Sequence, residues 1–457
     1  MNESIALKRS LRVWQIVMLG MGWVVPMIVF DTFGIASELS GGLVPLAYII
    51  ALGAMLFTAF SYGKMVRAFP SAGSSYTYTQ KTMSPYLAFL VGWASLLDYL
   101  LIPMISALLI QIYCTTIFPD IPTWIWIVGY VIVATAINMW SVNLTANVNS
   151  VLLFFQIVVI VCFVFLAIRD LHNGMGVGTP LTIRPFYQLD FHFSGVIAAA
   201  TVLCFSFLGF DAVTNYTEEA LHPTKDIPKA ILITALTGGL IFIVGSYFTQ
   251  ALFPNPSSFH DPGATAPEIS LYAGGKLFQM FFLSASFAGS FASGLASHAS
   301  VSRLLFVMGR DHALPKKLFG YLHPQWRTPV FNVLLVGGVC LTAMFFNLEM
   351  AAALVNFGAL IAFTFVNLSV IAYYAIRLKR YKTPSDFFKH VIMPSIGAAF
   401  VAVLWFHLEL KSFILGVCWV VAGFIYLVCK TKIVKSQPGT IEIREDIEEQ
   451  NVSETVS

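Results

Sequence analysis

Apolar residues run through this chain in blocks of membrane-spanning length, separated by short polar loops. Runs of roughly 18–25 apolar residues fall near 14–34, 44–63, 86–113, 122–140, 148–168, 195–215, 230–252, 277–301, 330–346, 351–375, 388–408 and 411–429. The pattern predicts an all-α polytopic membrane protein with twelve transmembrane helices. Residues 14–430 form one transmembrane domain, 1–13 an N-terminal segment and 431–457 a polar, disordered tail ending in acidic residues.

The basic residues test this count, because Lys and Arg collect on the cytoplasmic side of short loops. With the N-terminus inside, 22 of the 26 basic residues fall on the inner side. The outer side holds Arg169, Arg184, Lys276 and Lys411. A miscounted helix would scramble this alternation, so both termini are expected in the cytoplasm and the chain in the cell membrane. A content of 58% hydrophobic residues and a mean hydropathy of +0.79 exclude an ordinary soluble domain. The net charge of +3 is the loop bias, and no nucleic-acid partner is expected. The six cysteines (114, 162, 204, 340, 418 and 429) match no metal-site spacing and imply no disulfide framework. No GxSxG elbow, HExxH or P-loop is present, so neither an enzyme nor a cofactor is expected. Ser71 to Tyr76 is Gly/Ser-rich and reads as a helix-joining turn.

Two spans are interrupted, and each carries an aspartate just past the interruption. The first reads Gly22-Trp23-Val24-Val25-Pro26-Met27-Ile28-Val29-Phe30-Asp31, the second Cys204-Phe205-Ser206-Phe207-Leu208-Gly209-Phe210-Asp211. Gly and Pro release backbone groups from helical pairing. Such groups survive at membrane depth only where protein or a water-filled cavity satisfies them. A carboxylate there costs about 2.5–3.5 kcal/mol on insertion scales. Broken helix plus acid, twice, reads as a midplane site that favours cations. The breaks lie five spans apart, the pattern of a five-plus-five inverted repeat, with repeat one near 14–168, repeat two near 195–375 and two further helices near 388–429. Opposite orientation of the repeats would bring the breaks together, with Asp31 outward of its break and Asp211 inward.

Each candidate has a structural alternative. Asp31 and Asp211 either bind a cationic group or a proton, or cap the amides of a second half-helix. Asp98 and Tyr99 follow Gly92 and Ser95 on a small, polar stripe of the third span and either hold a substrate amine or make an interhelical hydrogen bond. Glu218 and Glu219 end the sixth span as a cytoplasmic gate or a solvated helix end. His298 is a proton relay or a packing residue. Trp23, Phe30, Phe205, Phe207 and Phe210 line a pocket or pack.

The run Phe205-x-Phe207-x-Gly209-x-Asp211, followed by Glu218-Glu219, Pro223 and Ile227-Pro228, resembles the sixth-helix region of the amino acid–polyamine–organocation transporters. Phe30-Asp31-Thr32-Phe33-Gly34, Leu96-Leu97-Asp98-Tyr99-Leu100, Ala292 to Ser300 and Phe363-Thr364-Phe365-Val366-Asn367 resemble that family's bacterial putrescine importers more closely. The resemblance covers nearly the whole chain. It implies a leucine-transporter-like fold and secondary active uptake, with Asp31, Asp98, Tyr99 and Asp211 at positions matching the importers' acidic and aromatic site residues. Amino-acid members carry a Gly-Ser/Ala-Gly turn in the first helix whose amides hold the substrate carboxylate. Here that place reads Pro26-Met27-Ile28, which removes one amide and crowds the others. Where several members place a lysine in the fifth helix, this chain has Gln156.

The expectation is therefore a secondary transporter that imports an organic cation, putrescine or a related polyamine, by alternating access. Pro26, Met27, Ile28, Phe205, Ser206 and Gly209 line the site. An ammonium pairs with Asp31 or Asp211, while Asp98 and Tyr99 hold the other end. Burial favours the neutral form of a carboxyl group, so H+ is the expected coupling ion, with Gln156, His298, Glu218 and Glu219 as gating or coupling candidates. The rivals are an amino-acid permease on the same fold and a membrane sensor or channel without coupled transport.

Overall fold

The computed structural model describes residues 11–70, 74–140, 146–188, 192–217, 219–310, 314–323 and 328–434. Among these no strand forms; one isolated bridge joins Leu11 to Ala220. In chain order the helices are α1 (Val13–Val24), α2 (Ile28–Asp31), α3 (Phe33–Ser40), α4 (Val44–Ala68), α5 (Ser74–Thr82), α6 (Pro85–Ile117), α7 (Thr123–Trp140), α8 (Ala146–His172) and α9 (Phe193–Leu203). They continue with α10 (Pro223–Leu252), α11 (Thr265–Arg310), α12 (Lys316–Phe319), α13 (Val330–Leu341), α14 (Leu348–Val370), α15 (Pro384–Phe387), α16 (Met393–Phe406) and α17 (Leu410–Val434).

Ten helical segments are long and apolar enough to cross a membrane, and Thr123–Met139 and Val330–Phe345 are shorter apolar helices. Local chemistry explains several boundaries. Pro85 opens α6 behind Ser84, whose hydroxyl accepts from the Tyr86 amide at 3.3 Å. Asn347 caps α14 by accepting from Met350. Gly41, at φ 64°, ends α3.

Three boundaries depart from expectation. The eighth span, expected at 277–301, is the longer α11, bent at Gly275, whose φ of 68° is non-helical. The stretch between the expected seventh and eighth spans is therefore helical from Thr265. Ser74, Ser75 and Tyr76 open α5 instead of forming a turn, because Tyr76 packs on Gly92 and Ser75 faces Ser95. The polar tail begins later than expected, since α17 continues to Val434; residues 435–457 lie outside the described residues.

The long helix α6 organises the interior. It packs against α11 on one side and α14 on the other, while α4 packs against α10 and α9. At about 1.5 Å rise per residue its 33 residues span roughly 50 Å, more than the hydrocarbon thickness. Its buried face carries Gly92, Ser95, Asp98 and Tyr113. These residues address the two broken segments.

Candidate functional site

The first break is a turn around Pro26. Val25 adopts φ 47°, a left-handed conformation that a β-branched residue rarely takes. Pro26 has no amide to offer. The Ile28 amide donates to the Val25 carbonyl at 2.9 Å, so one of the two amides left for a carboxylate ligand is already engaged. The Trp23 carbonyl, freed by the break, accepts from Ser293 of α11 at 3.4 Å.

The second break lies between two short 3-10 turns, Cys204–Phe207 and Ala212–Tyr216. At its centre Gly209 takes φ 118°. A Cβ there would lie 2.6 Å from the Trp23 Cβ and 3.1 Å from the Val24 amide nitrogen. The two breaks thus touch, and only glycine permits the contact. Trp23 Nε1 also donates to the Tyr216 hydroxyl at 3.4 Å. Beyond the second break, the Leu11 amide donates to the Glu219 carbonyl, and the Leu221 amide donates to the Leu11 carbonyl. The segment leading into α1 is fastened to the segment leaving the second break.

Asp211 sits beside this contact, buried. Its Oδ1 accepts from the Gly209 amide at 3.3 Å, and its Oδ2 lies 3.5 Å from the Tyr99 hydroxyl of α6. Asp98, next to Tyr99, packs on Gly358 of α14, where an added Cβ would fall 3.1 Å from the Asp98 Cβ. Asp98 Oδ1 is buried with no hydrogen-bond partner. Asp98 and Asp211 are electrostatic neighbours, and both act electrostatically on Tyr62 of α4. The Tyr62 ring makes edge contacts with Tyr78, Phe210 and Phe363. The hydroxyls of Tyr62 and Tyr78 are also buried without partners. Two carboxyl groups, three tyrosines and two phenylalanines therefore converge. Three polar atoms there close no hydrogen bond of ordinary geometry, whereas buried polar groups ordinarily have a partner.

Asp31 stands apart. It ends α2, is 3% exposed, and accepts from the Tyr113 hydroxyl of α6 at 2.8 Å. Neither α2 nor α3 has a side-chain cap, so the capping alternative does not describe Asp31. Asp211 accepts from the Gly209 amide that precedes it and makes no side-chain cap on the 3-10 turn that follows. The neighbouring Phe30 ring is wedged between Phe163 and Phe282, with centroids 4.8 Å away in each case. Thr32, Tyr48 and Ser206 form a hydroxyl chain, 3.3 Å and 3.1 Å between oxygens, from the first broken segment to the second. Tyr99 and Tyr113 are about four turns apart on α6, or roughly 20 Å. The structure thus places Asp31 beside Tyr113 and Asp211 beside Tyr99.

The other expected residues divide. Pro26, Met27, Ile28, Phe205, Ser206 and Gly209 are buried around the paired breaks. Gln156 is buried against Gly289, with Oε1 unpartnered. His298 Nε2 is bonded to the Val333 carbonyl at 2.9 Å, which ties α11 to α13 and favours packing over a relay. Glu219 contributes backbone contacts, and Glu218 lies outside the described residues. The aspartate-bound or unpartnered tyrosines Tyr62, Tyr78 and Tyr113, and the bridging Tyr48, were not anticipated.

The amino acid permease model matches residues 15–434. The chain belongs to the amino acid permease family. This permease is 50% identical over 431 residues to the low-affinity putrescine importer PlaP of Escherichia coli K12, covering 94% of this chain and 95% of the relative. It is 29% identical to the methylthioribose transporter of Bacillus subtilis (92% and 93% covered). It is 25% identical to the branched-chain amino acid permease BcaP of the same species, over 92% of each chain. The permease is a multi-pass, all-helical membrane protein, similar along nearly its whole length to named putrescine importers.

Proposed function

We propose that this permease imports putrescine or a related diamine across the cell membrane by proton-coupled alternating access. The observation that carries the reading is the Asp211–Asp98 cluster: two buried carboxyl groups that are electrostatic neighbours, with no Lys, Arg or His acting on either among the described residues. A dication neutralises such a pair, whereas a single ammonium leaves one charge uncompensated at membrane depth. Tyr99 and Tyr62 flank the acids, and aromatic rings suit an alkylammonium chain. The turn at Pro26 supports the same substrate class, because its Ile28 amide is taken by Val25 and is not free for an amino-acid carboxylate. Similarity to the E. coli putrescine importer points the same way.

The architecture that serves this function has twelve spans in a five-plus-five inverted repeat, with both termini in the cytoplasm. The ten long helices, the two shorter ones at the expected fourth and ninth spans, the contact between the breaks and the basic-residue bias all support it. Alternating access would then rock the broken segments, joined through Gly209 and Trp23 and through Leu11, against α6, α11 and α14.

Uptake into proteoliposomes tests the reading. Radiolabelled putrescine should accumulate when an inward proton gradient is imposed, and excess neutral amino acids should not compete. Inhibition by leucine with none by unlabelled putrescine would make the chain an amino-acid permease. Absence of uphill accumulation would leave a channel or sensor.

A further inference from the structure

The Asp211–Asp98 cluster leaves Asp31 unused. Asp31 is buried, and the groups that face it are few. Tyr113 of α6 donates its hydrogen bond, and Tyr48 of α4 is its other titratable neighbour. From α10, Gly245 lies against Val29 and Phe30. From α11, Ser286 and Ser290 lie alongside Tyr113 with buried hydroxyls that close no hydrogen bond of ordinary geometry. No charged side chain from α4, α6, α10 or α11 meets Asp31. Next to it in the chain, the Phe30 ring packs between Phe163 of α8 and Phe282 of α11. A carboxyl group without a cation persists at this depth only by holding a proton or a small ion. The hydrogen-bond partner of Asp31 is the Tyr113 hydroxyl, an arrangement that suits a proton.

We infer that Asp31, held by Tyr113, binds the coupling proton at a site separate from the diamine. This inference rests on the transport reading above. The hydroxyl chain Thr32–Tyr48–Ser206 links the residue after Asp31 to the second break, so the charge state of Asp31 bears on the segment that carries Asp211. Protonated Asp31 adds no charge to the closed interior. When the proton leaves, the bare carboxylate opposes burial and favours the open arrangement that admits water. Tyr113 is a positioning residue in this scheme, since its hydroxyl stabilises the charged form.

The test compares wild-type protein, Asp31→Asn and Tyr113→Phe in proteoliposomes. Counterflow exchange of radiolabelled putrescine needs no net proton movement, whereas gradient-driven accumulation does. Asp31→Asn should lose accumulation to the level of empty vesicles and keep counterflow. Retained accumulation, or loss of counterflow in a variant that elutes as a folded monodisperse peak, overturns the inference. If Asp31→Asn does not fold, Tyr113→Phe decides. It keeps the carboxyl group and removes a hydrogen bond to its charged form. The alkaline limb of the uptake profile should then move up by about one pH unit, and an unshifted profile overturns the inference. Wild-type vesicles that exchange another substrate but not putrescine would sink the diamine reading alone, and the same two assays with that substrate would still decide Asp31.

Discussion

Tyr113 donates a hydrogen bond to Asp31 at 2.8 Å, while Tyr99, on the same helix, has its hydroxyl 3.5 Å from Asp211. One continuous helix thus addresses both broken segments through two tyrosines about four turns apart. The relation separates two acids that look equivalent in sequence. Asp211 is an electrostatic neighbour of Asp98, whereas Asp31 has the Tyr113 hydroxyl and no charged neighbour among the described residues. Pro103 lies between the two tyrosines on α6, and rearrangement of either broken segment relative to α6 must break or remake its own tyrosine contact.

Removing either acid of the pair should damage uptake through the substrate. Hydrogen bonds to charged groups are worth about 1.5–3 kcal/mol, so Asp211→Asn and Asp98→Asn should each lower kcat/KM for putrescine by about tenfold or more. Initial uptake rates at matched expression provide the check. Full activity in both would remove the pair from the site.

The partnerless hydroxyls of Tyr62 and Tyr78 give a sharper test. If they face only protein, replacing them with Phe is neutral or mildly stabilising, because an unsatisfied polar group is removed. If they meet the substrate or its water, Tyr62→Phe and Tyr78→Phe should raise the putrescine KM by about two- to tenfold. Saturation curves separate the outcomes.

Gly209 should tolerate no side chain. In Gly209→Ala the methyl group would fall 2.6 Å from the Trp23 Cβ, and the backbone conformation itself costs about 1–3 kcal/mol. A lower thermal midpoint in detergent and loss of uptake are expected. Gly41 serves as the control: it also has a positive φ, but an added Cβ there meets nothing within 4 Å. Gly41→Ala should cost about 1–2 kcal/mol and retain transport.

His298 should behave as a packing residue. His298→Gln should lower the thermal midpoint, consistent with a weakened hydrogen bond of about 1 kcal/mol, and leave the pH dependence of uptake unchanged. An altered pH profile would restore the relay.

The broken spans were legible because Gly and Pro interrupt apolar runs where only a binding site tolerates free backbone groups. The Gly92, Ser95 and Asp98 stripe was legible from its spacing; it turns to Tyr76, Ser75 and Gly358. Tyr48, Tyr62, Tyr78 and Tyr113 were not. In a chain with 17 tyrosines nothing local distinguishes them, and their contacts join residues distant in sequence, such as Tyr48 to Ser206. The capping alternative at Asp31 arose from its place after a break; it fails because α6 supplies a closer donor. Ser75 looked like part of a turn because its helix-forming contacts lie on α6.

Equilibrium binding of radiolabelled putrescine to the purified permease tests the central claim, a diamine site built on Asp211 and Asp98, most directly. Bound label should be displaced by unlabelled putrescine and not by excess leucine. Asp211→Asn and Asp98→Asn should each weaken binding by about tenfold or more, equivalent to at least about 1.4 kcal/mol. Displacement by leucine, or unaltered affinity in both variants, would contradict it.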